Sequence, residues 1–269
     1  MINTITSKDN KILKEVRSLL QKKNREKLGK YLIEGQRIVE QAIEVSYPLE
    51  KVIFQEDILL KNEELKNLSN KLDSIGIQVI SIDEKLFKDI SQVENSQGII
   101  AVANILEDEK LEDVINGNFS FGVVLDKIQD PGNLGTILRT AEALGADFLF
   151  LLKGCVDLYN PKTVRSTMGS IFTMKVYSGR PEELLEVKEA GKYKLVSADL
   201  KGAKFSNQIE KYENKTMLVI GNEGNGISKE VLEMSDIRVK IPLLGRAESL
   251  NASMAAGILI YDIKQKINS

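Results

Sequence analysis

The sequence predicts an α/β protein of two domains, a smaller α/β domain followed by one built on a mostly parallel sheet with helices on both faces. Three observations carry this. The chain has 269 residues, enough for two domains of ordinary size. Apolar runs of strand length alternate with amphipathic stretches from one end to the other. In the second half the runs Phe121–Leu125, Phe148–Leu152 and Met217–Ile220 are continuously apolar, as in strands covered on both faces.

In the first domain, Lys8 to about Leu28 reads as a basic amphipathic helix with Ile12, Val16, Leu19 and Leu20 on one face. Tyr31–Ile33 is a strand ending at Glu34-Gly35, Gln36–Val45 a helix and Val52–Phe54 a strand. Glu63–Leu72 is a helix, Ile77–Ile80 a strand, and Asp83 caps a short helix through Ile90. Gly98–Ala103 closes this domain, which spans residues 1–105. An acidic stretch that becomes rich in Gly and Asn, residues 106–118, is the expected linker. The second domain spans 119–269, with a sheet of about six strands. After Phe121–Leu125 comes a turn, Gln129-Asp130-Pro131-Gly132, and a helix Asn133–Leu144 stopped by Gly145. Phe148–Leu152, Thr173–Tyr177, Leu195–Ser197, Met217–Ile220 and Ile237–Ile241 are the other strands. Pro161–Met168 and a segment begun by Pro181 are helices, as is the stretch opened by Asn251.

Composition excludes several classes of chemistry. With no histidine there is no Ser-His-Asp triad, no histidine zinc motif and no imidazole base. One cysteine, Cys155, rules out an internal disulfide and, without histidine, argues against a bound metal. Carboxylate, amide, hydroxyl, lysine, arginine or backbone groups must act, or a cofactor must carry the hard step. No apolar run reaches the length of a membrane span and the N-terminal residues lack a signal-peptide core, so a cytoplasmic protein is expected. Net charge is only −2, but residues 1–37 hold ten Lys and Arg against four acids. That is either a phosphate footprint or a solvated helix surface.

Three polar clusters follow strands of the second domain. The first is Asn133-x-Gly135-x-x-x-Arg139-x-Ala141. The second is Gly221-Asn222-Glu223-Gly224-Asn225-Gly226, whose three glycines suit either close backbone approach to a ligand or a tight turn. The third runs from Pro242 to Asn251, with Gly245, Arg246, Glu248 and Ser249. The second cluster fits neither the dinucleotide fingerprint nor a P-loop, since Ile227 and not Lys follows Gly226.

Together these clusters resemble the three motifs of the SpoU (TrmH) family of RNA ribose 2′-O-methyltransferases. Leu243 stands where that family usually has Met, a volume-conserving change. Ile5–Asn10 and Ile33-Glu34-Gly35 resemble the family's substrate-binding domain, which is like ribosomal protein L30e. The resemblance implies an S-adenosylmethionine donor, a SPOUT-type carboxyl-terminal domain with a trefoil knot, and a homodimer. It implies that Gly221, Ile241 and Leu250 line the cofactor, with Gly224, Gly226 and Gly245 in the same loops. Arg139 is then the expected phosphate clamp and hydroxyl orienter, with base action as the alternative. Asn133 orients the ribose or Arg139, or else caps a helix. Glu223 holds Arg139 or a substrate hydroxyl, or is an exposed turn residue. Ser249 and Asn251 meet the pocket at a helix N-terminus, or serve only as caps.

The leading expectation is an enzyme acting on structured RNA, 23S ribosomal RNA ahead of transfer RNA. An inactive RNA-binding or ribosome assembly factor is the competing class, opposed by the intact polar trio. A nucleotide-dependent oxidoreductase is a third, opposed by the missing fingerprint.

Overall fold

The structure is a computed structural model of the chain and describes residues 2–106, 110–201 and 204–267. Two compact units form. One contains the residues up to Leu106 together with Asp157–Phe172; the other contains the rest.

The first unit runs β1 (Asn3–Ile5), α1 (Lys11–Ser18), α2 (Lys22–Leu28), β2 (Lys30–Glu34), α3 (Gln36–Glu44) and β3 (Leu49–Gln55). It continues with α4 (Glu56–Lys61), α5 (Glu63–Ser74), β4 (Gln78–Ile82), α6 (Glu84–Lys88) and β5 (Ile99–Asn104). Its five strands lie in the order β1-β4-β3-β5-β2; β1, β4 and β3 are parallel, and β5 is antiparallel to both its neighbours. Alternate residues face opposite ways, so Leu32, Ile53, Ile80 and Ile100 meet Leu13, Val16 and Leu19 on one side. Tyr31, Ile33, Val52, Phe54 and Val79 meet Ile38, Val39, Leu65 and Leu72 on the other.

The long basic helix expected from Lys8 to Leu28 is two helices. The Asn24 amide donates to the Ser18 carbonyl at 3.0 Å and Arg25 to the Leu19 carbonyl at 2.7 Å. These side chains occupy carbonyls that a continuous helix would use, and the chain turns at Leu19–Gln21.

Beyond β5 come α7 (Leu111–Asn116), β6 (Phe121–Asp126), α8 (Pro131–Ala143), β7 (Phe148–Leu152) and α9 (Pro161–Thr167). Then follow β8 (Lys175–Gly179), α10 (Pro181–Gly191), β9 (Lys194–Ala198), β10 (Lys204–Phe205), β11 (Thr216–Gly221), α11 (Lys229–Glu233), β12 (Ile237–Lys240) and α12 (Ala252–Ile267). Two departures from the expected domain plan stand out. The linker expected at 106–118 contains α7, whose Val114 is buried among Leu184, Val187 and Tyr193; residues 107–109 of it lie outside the described residues. Helix α9 belongs to the first unit, because Val164 is buried in that core and Asp157 takes the buried Arg25 guanidinium.

Among the described residues the second unit carries seven strands, all parallel, in the order β10-β12-β9-β11-β6-β7-β8. The strand beyond the expected six is β10, two residues long and too short for a periodic signal. From β6 the chain moves outward to β7 and β8, then crosses to β9 and returns through β11. The order therefore reverses between β6 and β11, where Asp126 pairs with Gly221 at the carboxyl ends. An open parallel sheet offers its ligand crevice at such a point.

Candidate active site at the carboxyl edge of the parallel sheet

Helix α8 begins two residues earlier than expected, at Pro131. Asp130 is its N-cap and accepts the Asn133 N–H at 2.9 Å, and Pro131 fills the position where no N–H is needed. Asn133 is therefore not a cap. Its backbone is already satisfied, and its buried side chain is free to make long-range contacts.

Those contacts join all three clusters. Glu223 Oε1 accepts from Asn133 Nδ2 at 2.9 Å and from Asp130 N at 3.1 Å, while Oε2 accepts from Gln129 N at 3.1 Å. Asn133 Oδ1 accepts from Asn251 Nδ2 at 3.0 Å. Asn251 Oδ1 accepts from Ser253 N at 2.9 Å and Ser253 Oγ at 2.6 Å. The orientation of this chain is fixed from one end. A carboxylate only accepts, so Asn133 must turn its NH2 to Glu223 and its oxygen to Asn251, which must then offer its own NH2. Asn251 Oδ1 is left facing donors only, which closes the series consistently. Each of the two amides keeps one N–H that bonds nothing among the described residues.

Burial works against the Glu223 charge, but the hydrogen bonds from Asn133 and from the Asp130 and Gln129 amides outweigh it and hold the carboxyl below the usual range. Glu223 is thus a firm anion that organises donors. Among the described residues its partners are Gln129, Asp130 and Asn133, and Arg139, one of the two groups it was expected to hold, is not among them. Arg139 lies two turns along α8 on another face, exposed and without a hydrogen bond or ion pair among the described residues.

The second loop shapes itself. Asn222 Oδ1 accepts from Gly224 N at 3.0 Å and Asn225 N at 2.9 Å, and its Nδ2 donates to the Lys127 carbonyl at 2.8 Å. Asn222 and Gly226 exchange backbone hydrogen bonds, and buried Asp126 accepts the Ser228 N–H at 2.6 Å. A Cβ on Gly221 would come within 2.3 Å of Gly226 C and Ile227 N. The missing side chain at Gly221 thus lets the loop fold back on its own strand, the tight turn that was one of the two readings of its sequence. Gly226 has φ +71, which its glycine permits, while neither Gly224 nor Gly245 is close to anything a Cβ would strike.

The third loop is the open part. Leu244 to Leu250 are exposed, Leu244 completely, and no backbone group from Leu243 to Leu250 is hydrogen bonded among the described residues. Ser249 makes no hydrogen bond there, and Ile241 is half-buried at the end of β12. Sequence reasoning missed Gln129, Asp130 and Asn222 as parts of the site. The Asp-Pro pair was the available signal for the first two, since it marks a helix start at Pro131. Among the described residues no cluster of metal-ligating side chains occurs, and no helix is long and apolar enough to cross a membrane.

With this geometry in view, comparisons with known proteins are specific. The model of the SpoU rRNA Methylase family matches residues 120–261, and that of the MRM3-like substrate binding domain matches residues 10–101. The chain is 35% identical over 260 residues to the 23S rRNA (guanosine(2553)-2′-O)-methyltransferase RlmP of Bacillus subtilis, covering 97% of this chain and 98% of the relative. It is similar to the AdoMet-bound rRNA methyltransferase of Sinorhizobium meliloti, with a TM-score of 0.87, 28% identity and coverage of 100% and 99%. It is also similar to the SpoU methyltransferase AviRb of Streptomyces viridochromogenes in complex with AdoMet, with a TM-score of 0.85, 28% identity and coverage of 97% and 99%. A polar array joining three separated motifs, on a sheet and a sequence that match from end to end, leads to one conclusion: the chain belongs to the SpoU rRNA methylase family.

Proposed function

We propose that this protein transfers a methyl group from S-adenosylmethionine to a ribose 2′-hydroxyl of 23S ribosomal RNA. The observation that carries the reading is the hydrogen-bonded series Glu223–Asn133–Asn251. Relatives named as 23S rRNA 2′-O-methyltransferases, RlmP among them, support the substrate class.

The donor fits the third loop. Its uncommitted backbone groups between Leu243 and Leu250, beside Ile241 and Gly221, suit main-chain recognition of an adenosine moiety. When bound, that group would supply a methyl on positively charged sulfur to the ribose 2′-oxygen, whose proton would pass to solvent water. The chain's own part is positioning. The spare N–H groups of Asn133 and Asn251 donate to ribose oxygens and set the 2′-oxygen in line. Glu223, with its lowered pKa, is a poor proton acceptor and acts by locking Asn133. Arg139, an unpaired exposed cation, clamps an RNA phosphate and orients the hydroxyl. Ser249 lies close enough in sequence to Asn251 to assist it.

The first unit supplies RNA contact through fewer cations than its charge suggests. Lys14, Arg17, Lys22, Arg25 and Lys30 are paired with acids, which leaves Lys8, Lys11, Lys23, Lys27 and Arg37. A homodimer is supported by α12, where Met254, Ile258 and Tyr261 are 61%, 42% and 58% exposed at helical spacing. The trefoil crossing of the second and third loops and a cytoplasmic location belong to the same reading. Mapping 2′-O-methyl sites in RNA from cells with and without the protein tests it. Loss of one 23S site supports the reading. Loss of a transfer RNA site moves the substrate, and unchanged maps with intact RNA binding favour an assembly factor.

A further inference from the structure

A cleft of about 380 Å³ opens beside the polar array. It lies at the crevice where the strand order reverses, between the residues that follow β6 and those that follow β11. Its lining includes Lys127, Gln129, Gly154, Asn225, Ile227 and Ser228. Asn222 and Gly226 of the loop after β11 also line it, and no residue of the third loop, to which the donor is assigned, does.

The lining groups are poised outward. Gln129 Nε2 is spent on the carbonyls of Gly154 at 2.6 Å and Lys127 at 3.2 Å, which leaves its Oε1 as an open acceptor. The Asn225 side-chain amide and the Ser228 hydroxyl bond nothing among the described residues, and neither does the Lys127 ammonium. Lys127 holds φ +57, a conformation that L residues rarely adopt. Its carbonyl is pinned there by Asn222 Nδ2 and Gln129 Nε2, and its stem lies against Gly154. Strain maintained by two side-chain hydrogen bonds at a ligand edge points to function. Ile227, buried in the core beneath, closes the wall.

Both donors and acceptors line this cleft. A phosphate needs donors alone, whereas the edge of a nucleobase presents both, and RNA is read in sequence through unstacked bases held at their edges. Gln129 connects the two sites directly, since its N–H bonds Glu223 while its side chain lines the cleft. We propose that this cleft receives a nucleobase of the acceptor strand, at or next to the methylated ribose, and that Asn225, Ser228 and Gln129 Oε1 read its edge while Lys127 meets the backbone phosphate. This rests on the methyltransferase reading above and adds the origin of its choice of nucleotide.

The test uses the full-length protein with ribosomal RNA from cells that lack it, and then short hairpins varied at the mapped target and its two neighbours. Asn225→Ala and Lys127→Gln are compared with the unaltered protein. The expected result is a rise of about tenfold in KM for Lys127→Gln and a loss of about tenfold in discrimination between bases for Asn225→Ala. S-adenosylmethionine affinity by calorimetry stays unchanged in both. Equal base discrimination and KM in both variants overturns the base pocket and leaves the methyltransferase reading standing. Loss of donor affinity assigns the cleft to the donor and also overturns it. If the unaltered protein methylates no RNA, both readings fall together.

Discussion

Replacing Glu223 by Gln removes a charge while keeping shape, and the structure sets the size of the effect. Three donors converge on this carboxylate, two on Oε1 and one on Oε2. A Gln side chain keeps its oxygen toward Asp130 N and Asn133 Nδ2 and turns an NH2 onto the Gln129 N–H. One hydrogen bond is lost and two lose their charge assistance. A hydrogen bond to an ion contributes ~1.5–3 kcal/mol and a neutral one ~0.5–1.5 kcal/mol, so at mid-range the loss in a dry site is about 5 kcal/mol. Glu223 is exposed, and solvent screening reduces this to about 1.5 kcal/mol. If the array must be intact when the methyl moves, kcat falls about tenfold. Donor affinity changes little, because the third loop is untouched. Combining it with Asn133→Ala costs less than the sum of the two, since they share one of the three contacts. The assay is transfer of labelled methyl groups to ribosomal RNA, with amide exchange at Gln129 and Asp130 as the structural readout. A kcat within about twofold of the unaltered protein, with both amides still protected, would refute the argument.

Arg139→Ala should abolish transfer while S-adenosylmethionine binding by calorimetry stays nearly intact; a large loss of donor binding would give Arg139 another role. The charged surface of the first unit divides cleanly. Lys23→Glu with Lys27→Glu should weaken RNA binding and flatten its salt dependence with little change in Tm, because neither is paired among the described residues. Arg25→Ala should instead cost about 3 kcal/mol of stability, read by denaturant unfolding, since it removes the buried half of an ion pair and leaves the partly buried Asp157 without its cation. Ile258→Asp with Tyr261→Asp should convert a dimer into a monomer by light scattering; an unchanged mass would place the interface elsewhere. The pH dependence follows from the lowered Glu223 pKa. Its bracing is complete above the ordinary value of 4.5 and is lost only as pH falls beneath it, through the folded value. A loop whose amide protection declines well above 4.5, in step with one carboxyl, would contradict this.

Much of the fold was legible because strands covered on both faces must be continuously apolar, as β6, β7 and β11 are. The three motifs were legible for the same kind of reason: they are short and local, and each sits at a strand end. What sequence could not supply was partnership. Asn133, Glu223 and Asn251 are separated by 90 and 118 positions along the chain, and only the folded edge of the sheet joins them. Spacing along α8 set Asn133 and Arg139 on different faces but not what each would meet. Helix α9 illustrates the limit best. Its sequence continues the strand-helix alternation of the second half, yet Val164 finds its apolar partners among residues of the first unit. Local periodicity fixes which residues must be buried, because the helix and strand repeats are properties of the backbone itself. Which core buries them depends on long-range packing, which no stretch of sequence encodes by itself.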